Sequence, residues 1–119
     1  MTKCASPVVN ALKLIGGKWK IAIIYNLRGD PVRFGELKRT LSPITQQMLT
    51  KQLRELERDL LIDRTVFEVI PPKVEYSLTA FGQSFMPVMD SLCKWSTENQ
   101  TLMEGISERK DPASNVVLD

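Results

Sequence analysis

The segment from residue 34 to residue 76 constrains the fold more than any other part of this chain. It contains, in order, a short basic helical pattern, a Ser42-Pro43 turn, a longer amphipathic helical pattern, and two strand-like runs around a loop with Pro71 and Pro72. This order predicts a helix-turn-helix followed by a β-hairpin, or wing. In such an arrangement the second helix enters the major groove of DNA and the hairpin lies against the flanking backbone.

Four helices are predicted before the hairpin. Pro7 opens the first, and Gly16-Gly17 separates it from a second helix over residues 18–27. The third covers about residues 33–41 and the fourth about residues 45–59, where Thr45 can cap the amino end. On one side of the fourth helix, apolar residues at steps of three and four predict a buried stripe of Met48, Leu49, Leu53, Leu56 and Leu60.

After the hairpin, Thr79 is predicted to cap one long helix that ends near residue 100. Residues 107–119 are mostly polar and are predicted to form a flexible tail. The 119 residues leave room for one domain, which is predicted to span residues 1–106. The predicted fold class is therefore mainly α with a small β-wing, a winged helix-turn-helix.

The residue types that are missing exclude several classes of function. The chain has no histidine, and its two cysteines, Cys4 and Cys93, cannot complete a four-ligand zinc site. A glycine-rich phosphate loop is also missing, so we expect no enzyme, no metal and no cofactor. No apolar run reaches the roughly 18 residues of a membrane span, and the N-terminus lacks a signal-peptide pattern. A cytoplasmic location is expected.

The net charge of +2 is distributed unevenly along the chain. Residues 1–78 carry 13 Lys and Arg against 8 Asp and Glu, whereas residues 79–119 carry 3 against 6. Within residues 31–54, five basic side chains accompany one acidic side chain, Glu36. A basic helix-turn-helix in a nearly neutral chain is typical of a DNA-binding surface.

The polar side of the fourth helix is predicted to read DNA. Gln can pair with adenine and Arg with guanine, and Thr can contact phosphate or a thymine methyl group. A polar helix face is more often merely solvated, but the turn before this helix and the hairpin after it favour DNA binding. The predicted reading residues are Thr45, Gln46, Gln47, Thr50, Lys51 and Arg54.

Basic residues outside the fourth helix are predicted to contact the DNA backbone. Such contacts position a protein without specifying the sequence. Lys73 is expected to lie near the hairpin tip and to reach toward the minor groove. The predicted backbone contacts are Arg33, Lys38, Arg39, Arg64 and Lys73.

The last predicted helix has more apolar area than a small winged core can bury. Pairing with a second copy, together with the first helix, would use this area. A dimer would also place two recognition helices one turn of DNA apart, which predicts a near-palindromic operator. The predicted interface consists of Val8, Leu12, Phe85, Val88, Met89, Leu92 and Trp95.

Two cysteines complete the set of candidate functional residues. Cys4 precedes the first helix and follows Lys3, whose charge favours the reactive thiolate. Cys4 is therefore a candidate redox or electrophile sensor, and an unreactive terminal thiol is the alternative. Cys93 is predicted to be a small packing residue.

Four motifs occur along the chain in a characteristic order. They are Leu14-Ile15-Gly16-Gly17-Lys18-Trp19-Lys20, Arg33-Phe34-Gly35-Glu36-Leu37, Met48-Leu49-Thr50-Lys51-Gln52-Leu53-Arg54-Glu55-Leu56 and Pro71-Pro72-Lys73-Val74-Glu75-Tyr76-Ser77-Leu78-Thr79. Over about residues 4–96, the chain closely resembles the HxlR-type family of bacterial transcriptional regulators, which are relatives of the MarR winged-helix proteins.

This resemblance implies a homodimer that pairs through its first and last helices and binds operator DNA, commonly as a repressor. Several members respond to quinones, aldehydes or oxidants, so a small-molecule effector is implied as well. In many members a cysteine stands immediately before the proline of the first helix. Here Ser6 holds that place and Cys4 lies two residues upstream, so thiol sensing by Cys4 is a hypothesis that the resemblance does not carry over.

The sequence thus predicts a cytoplasmic, homodimeric, sequence-specific DNA-binding regulator. The first alternative is a winged-helix module that binds another protein and has no DNA site. Such modules tend to lose the basic recognition face, which this chain retains. A small enzyme is a third and weaker alternative. Salt-dependent DNA binding distinguishes the regulator from the protein-binding module.

Overall fold

Helices surround a small antiparallel sheet in the part of the chain that the structure describes. The computed structural model describes the backbone of residues 5–110 and the side chains of residues 5–106. Cys4 and residues 111–119, which make up most of the predicted tail, lie outside the described residues. The elements are α1 (Ala5–Ile15), α2 (Lys18–Asn26), β1 (Val32–Arg33), α3 (Phe34–Thr40), α4 (Gln46–Arg58), β2 (Ile62–Phe67), β3 (Lys73–Leu78), α5 (Ala80–Gln83), α6 (Met86–Glu98) and α7 (Gln100–Lys110). They confirm the predicted fold class, mainly α with a small wing.

Gly17 separates the first two helices because the backbone turns left-handed there. Its φ of 91° is one that glycine adopts without strain. α2 then begins at Lys18, as predicted, and Ile23 and Ile24 are fully enclosed. Trp19 is half-buried at the edge of the core rather than enclosed within it.

α3 and α4 form the predicted helix-turn-helix. Leu37 anchors α3 in the core. At the start of α4, the Thr45 hydroxyl oxygen accepts a hydrogen bond from the backbone N–H of Met48 at 3.1 Å, which confirms the predicted cap. One side of α4 is closed against the core by Leu49, Leu53 and Leu56. The opposite, polar side of α4 is consequently left outside.

α4 ends in a turn that corrects one sequence prediction. Leu60, which the apolar stripe predicts to be buried, is 69% exposed and has a left-handed φ of 64°. The backbone N–H of Leu60 bonds to the carbonyl of Glu57 at 3.0 Å, and that of Leu61 to the carbonyl of Leu56 at 2.9 Å. These two bonds form a Schellman motif. Because this turn reverses the direction of the chain, Leu61 enters the core in place of Leu60.

The wing is a three-stranded sheet and not the predicted two-stranded hairpin. β3 lies in the middle, with β2 on one side and β1 on the other, and both pairings are antiparallel. Val32 pairs with Tyr76, and the β2–β3 register ends with Phe67 opposite Lys73. Lys73 therefore lies within a strand and not in the loop. The two-residue strand β1 has no pattern of its own, because only its pairing with β3 defines it.

The single C-terminal helix expected from the sequence is divided into α5, α6 and α7. Thr79 caps α5 by accepting a hydrogen bond from the backbone N–H of Gly82 at 3.0 Å, but α5 ends at Gln83. Pro87 stands in the first turn of α6. A proline has no N–H and its ring clashes with a preceding turn, so one continuous helix cannot pass through this position. α7 then includes the first residues of the predicted tail.

Thr79 and Gly82 also join α5 to the end of α4. The Thr79 hydroxyl donates a hydrogen bond to the carbonyl of Leu60 at 2.6 Å, and the Thr79 backbone N–H bonds to the carbonyl of Leu61 at 3.1 Å. Gly82 lies directly against that Leu61 carbonyl, where any Cβ would clash. Two backbone segments therefore meet here without a side chain between them.

The core lies between α2, α3, α4 and the sheet, with contributions from Ile15 of α1 and Met89 of α6. The radius of gyration is 16.2 Å, compared with about 13 Å for a compact domain of this length. The protomer is therefore elongated, with extents of 51 × 37 × 22 Å. Among the described residues, none of the helices has the length and apolar character that crossing a membrane requires.

Candidate nucleic-acid interface

One side of α4 gathers most of the predicted reading residues. These side chains and Glu55 line a shallow, open groove. All of the predicted residues in the groove are exposed or half-exposed, because the leucines of α4 take the opposite side. The residues of this surface, called the reading face below, are Gln46, Gln47, Thr50, Lys51 and Arg54.

Thr45, the sixth predicted reading residue, is not in the groove. Its hydroxyl oxygen is occupied by the N-cap hydrogen bond to Met48. The hydroxyl hydrogen of Thr45 is free to donate to a phosphate, but the side chain acts first on the helix itself. The amino end of α4 carries the positive end of the helix dipole, which favours a nearby anion.

The reading face is cationic because its one acidic neighbour is neutralised. Glu55 accepts a hydrogen bond from the ammonium group of Lys20, with 2.7 Å between Nζ and Oε1, and this bond holds the pKa of the Glu55 carboxyl below its usual range. Lys51 and Arg54 form no ion pair among the described residues. Sequence analysis missed Lys20 and Glu55 because only the packing of α2 against α4 brings them together.

Arg58, one turn beyond Arg54, is balanced by its neighbour in the chain. Its guanidinium contacts both oxygens of Asp59, at 3.1 Å from Nε to Oδ1 and 3.2 Å from Nη2 to Oδ2. The pair lowers the pKa of the Asp59 carboxyl and raises that of Arg58. The unpaired positive charge of α4 is therefore concentrated at Lys51 and Arg54.

The residues predicted to contact the DNA backbone fall into two groups. Arg33, Lys38, Arg39 and Arg64 are exposed and belong to no ion pair in the described part of the chain. Lys73 is different: its Nζ lies 3.1 Å from Oε2 of Glu75 and 4.7 Å from the centre of the Phe67 ring.

Lys73 is thus held along the wing and does not project from the tip as predicted. The local pattern contained the signal for this pair, since alternate residues of a strand share a face. Lys73 and Glu75 stand two positions apart in β3, so their side chains emerge on the same side of the sheet.

Apolar side chains of the terminal helices form a second exposed surface. Val88, Leu92 and Trp95 of α6 are each at least half exposed, as are Val8 and Leu12 of α1. α7 adds two more, which sequence analysis missed because it predicted that the last helix ends near residue 100. The residues of this surface, called the terminal face below, are Val8, Leu12, Val88, Leu92, Trp95, Leu102 and Ile106.

Three predictions about the C-terminal helices need correction. Met89, predicted at the dimer interface, is only 8% exposed and belongs to the core of the protomer. Phe85, predicted there as well, is half-buried against the same core. Both side chains are on the inner side of the α5–α6 segment. Cys93, predicted to be a packing residue, is instead an exposed free thiol beside Leu92.

An exposed basic face on the second helix of a helix-turn-helix, followed by a wing, defines the class of winged helix-turn-helix transcriptional regulators. The chain belongs to the HxlR-like helix-turn-helix family, whose model matches residues 14–104. This family and its structural neighbours are transcriptional regulators and not enzymes.

Individual relatives agree with this assignment. An uncharacterized HTH-type transcriptional regulator of Halalkalibacterium halodurans is 49% identical over 96 residues, which cover 80% of this chain and 85% of the relative. The redox regulator HypR in its reduced form superposes with a TM-score of 0.79 at 44% identity, covering 83% of this chain and 98% of HypR. The reduced transcriptional regulator YodB from B. subtilis gives 0.71 at 29% identity, covering 96% and 99%.

Proposed function

We propose that this regulator binds a near-palindromic operator as a homodimer and represses transcription from the promoter that contains it. In this proposal the reading face of α4 enters the major groove and the exposed cations of β1, α3 and β2 contact the flanking phosphates. A dimer that covers two adjacent half-sites would compete with RNA polymerase for the same promoter DNA.

The observation that carries the proposal is the composition of the reading face. Gln46 and Gln47 are exposed in the first turn of α4, the part of a recognition helix that usually contacts base edges. Lys51 and Arg54 follow with unpaired charges, whereas Glu55 and Arg58 have their charges balanced within the protein. Amide and guanidinium groups on one helix face are the groups that recognise adenine and guanine.

Dimerisation is supported by the terminal face. An exposed apolar surface spread over α1, α6 and α7 is larger than a monomeric protein usually leaves in water. The elongated protomer has the same origin, since these helices extend beyond the core. Covering the terminal face with a second copy would place two α4 helices on one side of the assembly, as a palindromic operator requires.

We further propose that an electrophile or oxidant acts on a cysteine of this chain and releases the dimer from DNA. The similarity to HypR, a redox regulator, supports this part of the proposal. Cys93 is exposed beside the terminal face, and Cys4 remains the candidate from the sequence. Treatment with diamide or a quinone should weaken DNA binding, and Cys4→Ser and Cys93→Ser should separate the two thiols. Unchanged release in both variants would contradict this mechanism.

Fluorescence anisotropy would test DNA binding first. The probe is the intergenic DNA upstream of the protein's own gene, titrated over a series of salt concentrations against a random duplex of equal length. We expect tight, salt-dependent binding that favours the intergenic probe. Absence of binding to either duplex at low salt would contradict the proposal. Reduced transcript from the bound promoter in a run-off assay would then establish repression, and an increase would establish activation.

A further inference from the structure

The tip of the wing is apolar, although a wing is expected to meet polyanionic DNA. The wing tip consists of residues 66–72, and Glu68 is its one charged residue. Val66, Phe67, Val69 and Ile70 are all exposed, and Ile70 is completely so, at 101%. A fully exposed side chain contributes no burial to folding, so the stability of the fold does not account for isoleucine at this position.

The charges around the wing tip argue against a phosphate contact there. Its nearest cations, Arg64 and Lys73, are within the strands, and Lys73 is already paired with Glu75. Glu68 would repel a phosphate. What the wing tip can offer to DNA is therefore apolar contact with the sugars and bases that line a groove.

The shape of the wing suits insertion into a narrow groove. β2 and β3 are six residues each, about 20 Å long, so they carry the tip far from the core. Pro71 and Pro72 follow Ile70, fix their own φ angles and have no N–H groups that require a partner. Apolar side chains and prolines on projecting loops are the groups with which proteins enter minor grooves and open base steps.

We propose that Ile70 is an apolar wedge that enters the minor groove beside the recognition site, partly unstacks one base step and bends the duplex. This inference rests on the proposed function, since it requires a bound operator. It adds a source of specificity: pyrimidine–purine steps such as TA and CA unstack most readily, so the operator should contain one where the wing lies. No hydrogen bond to that step is needed.

Three variants at one position test the wedge. Ile70→Leu keeps an apolar side chain, Ile70→Ser removes it, and Ile70→Lys replaces it with a cation. Because Ile70 is completely exposed, all three should unfold at the temperature of the wild type. The probe is a 60-base-pair duplex centred on a site selected in vitro from a random library, with dyes at both ends to report bending by energy transfer. A second duplex carries 2-aminopurine at the step nearest the wing.

With wild type and Ile70→Leu, we expect a bent duplex and increased 2-aminopurine fluorescence. Ile70→Ser should lose both signals and bind the selected site about 3- to 30-fold more weakly. Ile70→Lys should bind all DNA more tightly at low salt and still fail to bend the probe. This last result separates a wedge from a mere electrostatic contact.

Other outcomes would overturn the inference. If wild type binds the selected site without bending it or without unstacking the step, the proposed function stands and the wedge is wrong. If Ile70→Ser binds and bends DNA like wild type, the wedge is also wrong. If Ile70→Ser instead changes the sedimentation coefficient without DNA, the wing tip contacts a second copy. If the library yields no bound site, the proposed function fails and the wedge fails with it.

Discussion

α4 and α6 are both 13 residues long, yet they distribute their apolar side chains in opposite ways. α4 encloses its leucines within the protomer and leaves polar and cationic groups outside. α6 encloses only Met89 and leaves Val88, Leu92 and Trp95 in water. The comparison shows that amphipathic character alone does not assign a helix to its role. What matters is which face the protomer itself uses, because the remaining face is available to a partner.

The largest expected effect comes from placing charge on the terminal face. Leu92→Glu and Trp95→Glu should each convert the proposed dimer into monomers, because a carboxylate cannot be buried there without a partner. Operator affinity should fall by at least about 100-fold, since the two half-sites would no longer be bound by one molecule. Sedimentation velocity and anisotropy measure the two changes.

Thr97→Glu provides the matched control for these variants. Thr97 is exposed on α6 about 180° around the helix from Val88. This variant should sediment and bind DNA as wild type does. If Leu92→Glu and Trp95→Glu also sediment as wild type, the terminal face is not the dimer interface and the contrast between α4 and α6 loses its meaning.

A second, smaller effect is expected on the reading face. Arg54→Ala should cost roughly 1–3 kcal/mol of binding free energy on the operator and little on random DNA, as is typical of a lost base contact. Gln46→Ala should behave in the same way. Titrations of each variant against both duplexes measure the difference.

Lys38→Ala is the companion variant, because Lys38 is an exposed cation of α3 outside the reading face. It should weaken binding to all DNA alike and reduce the salt dependence by about 0.9 in the logarithmic slope, the value for one phosphate contact. If Lys38→Ala altered sequence preference and Arg54→Ala did not, the roles assigned to α3 and α4 would be exchanged.

The carboxyl end of α4 offers a test of stability. Leu60→Gly should raise the free energy of unfolding by about 0.5–1 kcal/mol, because a left-handed leucine is strained and glycine is not, although glycine also gains freedom in the unfolded chain. Urea unfolding at one fixed protein concentration measures the change. Leu60→Ala should show little gain, since it removes the exposed side chain but not the strained φ. Equal gains in both variants would attribute the effect to the side chain.

The smallest effect concerns the link between α2 and α4. The pKa of Glu55 is lowered in the folded protein, so its pairing with Lys20 contributes stability above the unfolded carboxyl pKa of about 4.3. That contribution is lost as the pH falls through the lower folded pKa. The stability difference between wild type and Glu55→Gln should therefore be constant from pH 7 to pH 5 and should shrink toward pH 3. A difference that grows in acid would contradict the direction of this shift.

The parts of the fold that sequence predicted correctly are those governed by local spacing. The caps at Thr45 and Thr79, the break at Gly17 and the polar side of α4 all follow from neighbouring residues. β1 was not predicted because its pairing with Tyr76 is a long-range contact. The exchange of Leu60 for Leu61 in the core depends on a left-handed turn that no glycine announced. Pro87 did carry a local signal, and the long-helix prediction overlooked it.

The candidate site divides in the same way. Five reading residues share one groove, as helical periodicity predicts. The partners that adjust their charge come from elsewhere: Lys20 approaches from α2, and its position depends on how two helices pack. Met89 could not be assigned correctly from its stripe, because a stripe does not show which of its members face the chain's own core.

The contact of Thr79 and Gly82 with the end of α4 has a mechanical consequence. One hydroxyl joins the last turn of the recognition helix to the helix that leads to the terminal face, and the backbones touch at Leu61. With no flexible side chain to absorb a displacement, α5 acts as a short, stiff lever whose pivot is Leu61. A change of a few degrees in how two protomers meet would thus reach the spacing between their recognition helices directly, and DNA with a fixed helical repeat would register it.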